Sequence, residues 1–124
     1  MLVAYLTTDE VNWNSAAQLA EESGIVLYPL TYHEQFLDVQ FDAVLYDWDF
    51  IHPLKRQKIK EQLLADQFHV PVALHSYHWD NKERRRLRQK GIPVFRRLGS
   101  EIFRFLQGAI NHGLIPNFAD KKRP

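Results

Sequence analysis

"FDAVLYDWDF", Phe41 to Phe50, decides how the rest of the chain is read. Phe41 and the run Ala43-Val44-Leu45-Tyr46 are apolar, and they lead into two carboxylates, Asp47 and Asp49, on either side of a tryptophan. Charged groups rarely end a buried run without a reason. A short apolar run with no helical period reads as a buried strand. A strand buried on both faces belongs to a parallel sheet covered by helices. The segments around it must then alternate between strand and helix.

They do. Upstream, Leu2–Thr7 is a first apolar strand, and Ile25–Leu30 is a second. Between them "SAAQLAEESG" favours a helix, capped by Asn12 or Asn14 and stopped by Gly24. "YHEQFLDVQ" is a brief helix before the third strand, Asp42–Asp47. Downstream, Pro53 opens a helix at a position where a missing N–H costs nothing, and Ile59 and Leu63 give it a narrow core face. Val70–Ser76 is a fourth strand. Asp80 and Glu83 form a capping box for "NKERRRLRQK", which Gly91 ends. Ile92–Arg96 is a fifth strand, and Ser100 caps a last helix lined by Ile102, Leu106, Ala109 and Ile110. Five apolar strands separated by helices predict a three-layer α/β/α sandwich around a parallel sheet. One domain spans residues 1–111, and 112–124 form a loosely attached C-terminal tail.

Composition sets the bounds. At 124 residues and 45% hydrophobic, the chain can bury one core and needs no staple. It has no cysteine, so disulfides and Cys-based zinc sites are excluded, which suits a cytoplasmic location. No apolar run approaches the roughly 20 residues of a membrane span, and "MLVAYLTTDE" reads as a strand and not a signal peptide. A net charge of +1 gives no global pull toward nucleic acid or membrane.

Five βα units, with an Asp closing the third strand, resemble the receiver domains of the response regulators of two-component signalling. The resemblance covers roughly residues 1–110 and implies a flavodoxin-like sheet of order 2-1-3-4-5. It places Asp47 in the phosphoacceptor position. Ser76, ending "VPVALHS", matches the Ser/Thr that senses the phosphate. Arg96 or Arg97 of "VFRRLG" stands where the family has a Lys, with Arg97 taken as the closer match. The departures are specific. Thr7 and Thr8 occupy the positions of the acidic pair that binds Mg²⁺, and Asp9 and Glu10 come just after them. Pro53 falls further beyond Asp47 than in the family pattern, so the intervening loop is longer. Transfer of a phosphoryl group to a carboxylate needs its charge neutralised, and two hydroxyls replace two carboxylates poorly. Mg²⁺ binding would require Asp9 or Asp49 to join Asp47; otherwise no cofactor is expected.

Three further constellations bear on function. His75 and His78, with His52 on the same rim, could ligate a transition metal, but read first as loop histidines. Asp49 by itself reads as a solvated loop carboxylate. Trp13, Trp48 and Trp79 each follow a strand end and could together lid a pocket. "KERRRLRQK" has Leu87 as its one apolar residue. Arg84, Arg85 and Arg88 with Arg96 make a basic surface on the helix that the resemblance counts as fourth, the fifth strand and the fifth helix. The resemblance makes this the partner-binding and dimerising face.

The leading reading is a degenerate, or pseudo-receiver, domain that signals through a protein partner or a homodimer, without Mg²⁺-dependent phosphorylation; whether it is also an enzyme is left open, with the balance against. With no output domain after Ile110, that partner is a separate protein. The alternative is a stand-alone response regulator phosphorylated on Asp47. Nucleic acid is a lesser partner for the arginines, since no groove-reading motif is present. A flavin mononucleotide site is disfavoured, because "TTDEVNWNSA" has no glycine to let backbone N–H groups approach a phosphate.

Overall fold

The computed structural model describes residues 1–30, 40–65 and 69–113. The brief helix expected over "YHEQFLDVQ" and most of the C-terminal tail lie outside the described residues. The elements are β1 (Leu2–Leu6), α1 (Glu10–Glu22), β2 (Val26–Leu30), β3 (Ala43–Asp47), α2 (Pro53–Leu64), β4 (Val72–His75), α3 (Asn81–Gln89), β5 (Val94–Phe95) and α4 (Ser100–Asn111). A single 3₁₀ turn, Trp48–Phe50, follows β3 directly. Among the described residues the strands form one parallel sheet of order β2-β1-β3-β4-β5, as expected.

The central strands are buried throughout because both faces are covered. Alternation along the strands divides the core in two. Ala4, Leu6, Val44, Tyr46, Val72 and Leu74 face α2 and α3, where they meet Ile59, Leu63 and Leu87. Val3, Tyr5, Ala43, Leu45 and Ala73 face the other way, against Ala16 and Ala20 of α1 and Ile102, Phe103 and Leu106 of α4. The small alanines let α1 lie close to the sheet, and Gln107 ties α4 to the end of α1 by donating to the Ser23 carbonyl.

Two helix starts differ from expectation. The cap of α1 is Asp9, whose carboxylate accepts the Asn12 N–H, and neither Asn12 nor Asn14 serves. Asp9 is as good a cap as Asn, and Glu10 just after it adds a favourable acidic residue in the first turn. Asn12 and Trp13 are thereby drawn inside the helix. At α4 the cap is Gly99, with Ser100 already helical. At α3, Asp80 accepts the Glu83 N–H as expected, while the Glu83 carboxylate pairs with Lys60.

Pro29 sits within β2, opposite Tyr5. The Val26 N–H bonds the Met1 carbonyl, so Val26 and Tyr28 point their peptide groups toward β1. Pro29 is out of phase with them, and its missing N–H falls on the outer edge, where a proline is tolerated.

Candidate functional site

Asp47 ends β3 in register with His75 of β4, on the carboxyl edge of the sheet where β1, β3 and β4 run side by side. Open α/β sheets bind ligands at this edge. Asp47 is only 1% exposed. Its Oδ2 accepts the Thr7 hydroxyl at 2.7 Å and the Asn12 side-chain amide at 2.8 Å. Thr7 is held in turn, because its hydroxyl oxygen accepts the Asp9 N–H at 3.0 Å. Early capping by Asp9 therefore has a chemical result: it turns Asn12 toward the Asp47 carboxylate.

Behind Asp47 lies a second buried pair. His75 Nδ1 is 3.7 Å from Asp47 Oδ1, and His75 Nε2 is 2.7 Å from the Tyr5 hydroxyl. Trp13 stacks on Tyr5 at 6.0 Å between ring centroids, sealing that side. Burial first, then the field of Asp47, holds the Tyr5 phenol far above the ordinary tyrosine range, so its hydroxyl keeps its proton. Burial pushes His75 below the usual imidazole value, against the opposing pull of Asp47 and Asp49. The Tyr5 hydroxyl and His75 Nε2 share a hydrogen bond whose direction follows the ring tautomer, and Nδ1 faces the carboxylate.

Asp49 has a different task. Its Oδ1 accepts the Ser76 hydroxyl at 2.6 Å and its Oδ2 the Tyr77 N–H at 3.0 Å. It is not the solvated loop carboxylate expected from the sequence but a clamp between the loops after β3 and β4. Ser76, 2% exposed, spends its donor there and also accepts the His78 N–H. Arg56 fixes the long β3–α2 loop by donating to the carbonyls of Ile51 and Asp49. Thr8 donates to the Phe50 carbonyl.

The structure thus brings Thr7, Asn12, Asp47, His75 and Tyr5 together. It does not bring Asp9, Asp47 and Asp49 together, since each carboxylate has its own partners. A Mg²⁺ ion prefers octahedral oxygen ligands that include carboxylates. Here one Asp47 oxygen is occupied by two donors and both Asp49 oxygens are taken by Ser76 and Tyr77, so the residues as arranged do not fit the ion. Among the described residues no three His, Asp or Glu side chains gather as a metal-holding group. His52 caps α2 by accepting the Leu54 N–H, and His78 is exposed. Arg96 and Arg97 are exposed beyond β5, and among the described residues neither pairs with Asp47. The tryptophans do not form one lid. Trp48 and Trp79 pack together on the α2/α3 face, 5.1 Å between centroids, while Trp13 lies on the α1 face.

A concave surface lies between α3, β5 and the start of α4. It is a groove of about 580 Å³ lined by Asn81, Arg84, Arg85, Arg88, Arg96 and Glu101 around β5.

Comparison with known proteins agrees with this architecture. The crystal structure of a response regulator receiver protein from Burkholderia phymatum superposes with a TM-score of 0.64 at 19% identity, over 89% of this chain and 94% of that one. A two-component response regulator from Clostridium difficile gives 0.63 at 16% identity, over 90% and 96%. No protein-family model and no curated protein sequence matches the chain. The chain has the receiver-domain fold. Among the described residues no helix is long and apolar enough to cross a membrane.

Proposed function

We propose that this is an atypical receiver-like signalling domain that acts by protein–protein interaction and without Mg²⁺-dependent phosphorylation of Asp47. One observation carries the reading: the carboxylate in the acceptor position is buried, its Oδ2 held by Thr7 and Asn12 and its Oδ1 facing His75, with Tyr5 behind. A nucleophilic carboxylate needs an open line of approach and a cation to offset the incoming charge, and Asp47 is 1% exposed. Thr7 supplies a donor where a metal would need a ligand. What remains for signalling is surface, and the face of α3, β5 and α4 with Arg84, Arg85, Arg88 and Arg96 is offered to a protein partner.

The test is exposure of the labelled protein to Mg²⁺ with acetyl phosphate, read by intact mass, and to Mg²⁺ with beryllofluoride, read by amide shifts. The expected result is unchanged mass and no shift at Asp47, Ser76 or Arg97. A phosphoryl adduct that disappears in Asp47→Ala would overturn the reading and make the chain a working response regulator.

A further inference from the structure

We infer that the groove between α3, β5 and α4 is a binding site for an acidic peptide segment of a partner protein. This deepens the interaction reading above and rests on it. The first observation is charge. Four guanidinium groups, Arg84, Arg85, Arg88 and Arg96, line the groove against the single carboxylate of Glu101. Among the described residues none of the four forms an ion pair. The contacts they do make are to neutral oxygens: Arg84 donates to the Val94 carbonyl at 2.9 Å, and Arg96 to the Asn81 side-chain oxygen at 3.3 Å. Arg84 Nε is buried with no hydrogen-bond partner. Such an array is held in place without being neutralised, and a ligand's carboxylates would complete it through charge-assisted forks.

The second observation is the wall. β5 is an edge strand. The Leu74 and Ser76 N–H groups bond the carbonyls of Pro93 and Phe95, so those carbonyls turn inward and that of Val94 turns outward. Arg84 already takes the outward Val94 carbonyl. Arg96 follows directly in the turn after β5, its guanidinium at the mouth of the groove. Arg84 and Arg88 are one helical turn apart, so they present two forks on one face.

These features favour a peptide over nucleic acid. The arginines converge on one groove instead of tracking along a surface, and a net charge of +1 gives no extended basic field. Glu101 on the rim would repel a continuous phosphate backbone, but can sit between spaced carboxylates.

The experiment titrates a fluorescein-labelled twelve-residue peptide of alternating Asp and Val into the unphosphorylated protein. Its Asn-for-Asp counterpart and a single-stranded DNA dodecamer are run in parallel. The acidic peptide should bind with a dissociation constant below about 1 mM, weaken with added salt, and shift the amides of Arg84, Arg88, Arg96 and Glu101. R85E and R88E, both at exposed positions, should each weaken it about tenfold or more, while R86E, outside the groove, should change it less than about twofold. No binding below about 1 mM, equal binding of the Asn peptide, or shifts mapping elsewhere would overturn the inference. Tighter binding of the DNA would replace it with a nucleic-acid site. The phosphorylation assay is independent of these arms, so failure here and failure of the reading above are told apart.

Discussion

Replacing Thr7 by Val keeps the side chain's shape and removes one hydroxyl, which makes it the sharpest probe of the Asp47 network. That hydroxyl donates to Asp47 Oδ2 at 2.7 Å and accepts the Asp9 N–H at 3.0 Å. A hydrogen bond to a charged group contributes about 1.5–3 kcal/mol, and one between neutral groups about 0.5–1.5 kcal/mol. The second loss falls at the low end, because Asp9 is half-exposed and water can take its N–H. The expected cost is about 2–4 kcal/mol. For a chain of this size that is roughly 8–16 °C in Tm. Urea and thermal unfolding of Thr7→Val, Thr7→Ser and Thr8→Val measure it. Thr7→Ser restores the hydroxyl and should recover most of the loss. Thr8→Val removes an exposed hydroxyl that bonds one carbonyl, and should cost less than about 1 kcal/mol. If Thr7→Val costs no more than Thr8→Val, then Asp47 does not depend on Thr7, and the case for a satisfied acceptor carboxylate collapses.

Two other perturbations test neighbouring features. Burial holds His75 below its ordinary value, so between its folded pKa and about 6.5 the unfolded chain binds more protons. Stability should therefore fall as pH drops below about 6.5, by up to about 1.4 kcal/mol per pH unit from this group. Asp47 and Asp49 also act on the ring, so the measurement is the difference between the pH profiles of the wild type and His75→Asn; parallel profiles would remove His75 as the source. Leu87 is, among the described residues, the one side chain of α3 in the core. Leu87→Ala should cost about 2–5 kcal/mol and strip hydrogen-exchange protection from α3 first; unchanged protection there would mean that the helix is anchored by its arginines instead.

The architecture was legible because each strand is an apolar run closed by a polar residue, and the helices between them carry narrow apolar faces. The order of the strands is not written in any local pattern and came from the likeness of "DAVLYD" and "VPVALHS" to a known fold. Asp47 stood out as a charge at the end of a buried run. Its partners did not. Asn12 read as a helix cap because the competing cap, Asp9, lies only three residues earlier, and choosing between them moves the helix start. Tyr5 read as strand core, since its place opposite His75 depends on both facing and strand order. One signal was available: a tyrosine inside a buried strand needs a partner for its hydroxyl, and polar residues at neighbouring strand ends were the candidates. Asp49 was read as solvated because its clamp spans two loops far apart in sequence. The tryptophans were grouped by position along the chain, while α1 holds Trp13 over one face of the sheet and the turns after β3 and β4 carry Trp48 and Trp79 to the other.

Pro29 has a consequence for how copies of this chain can meet. Among the described residues the sheet has two margins, β2 and β5. A ribbon of molecules joined margin to margin needs donors from both. On the β2 side the outward peptide groups belong to Leu27 and Pro29, and the second has no hydrogen to give. Addition there stalls after one link, while β5 stays open to a single guest. The domain can thus keep one adhesive border without becoming a unit of fibre growth, and crowding in a concentrated stock should yield discrete complexes in place of extended aggregates.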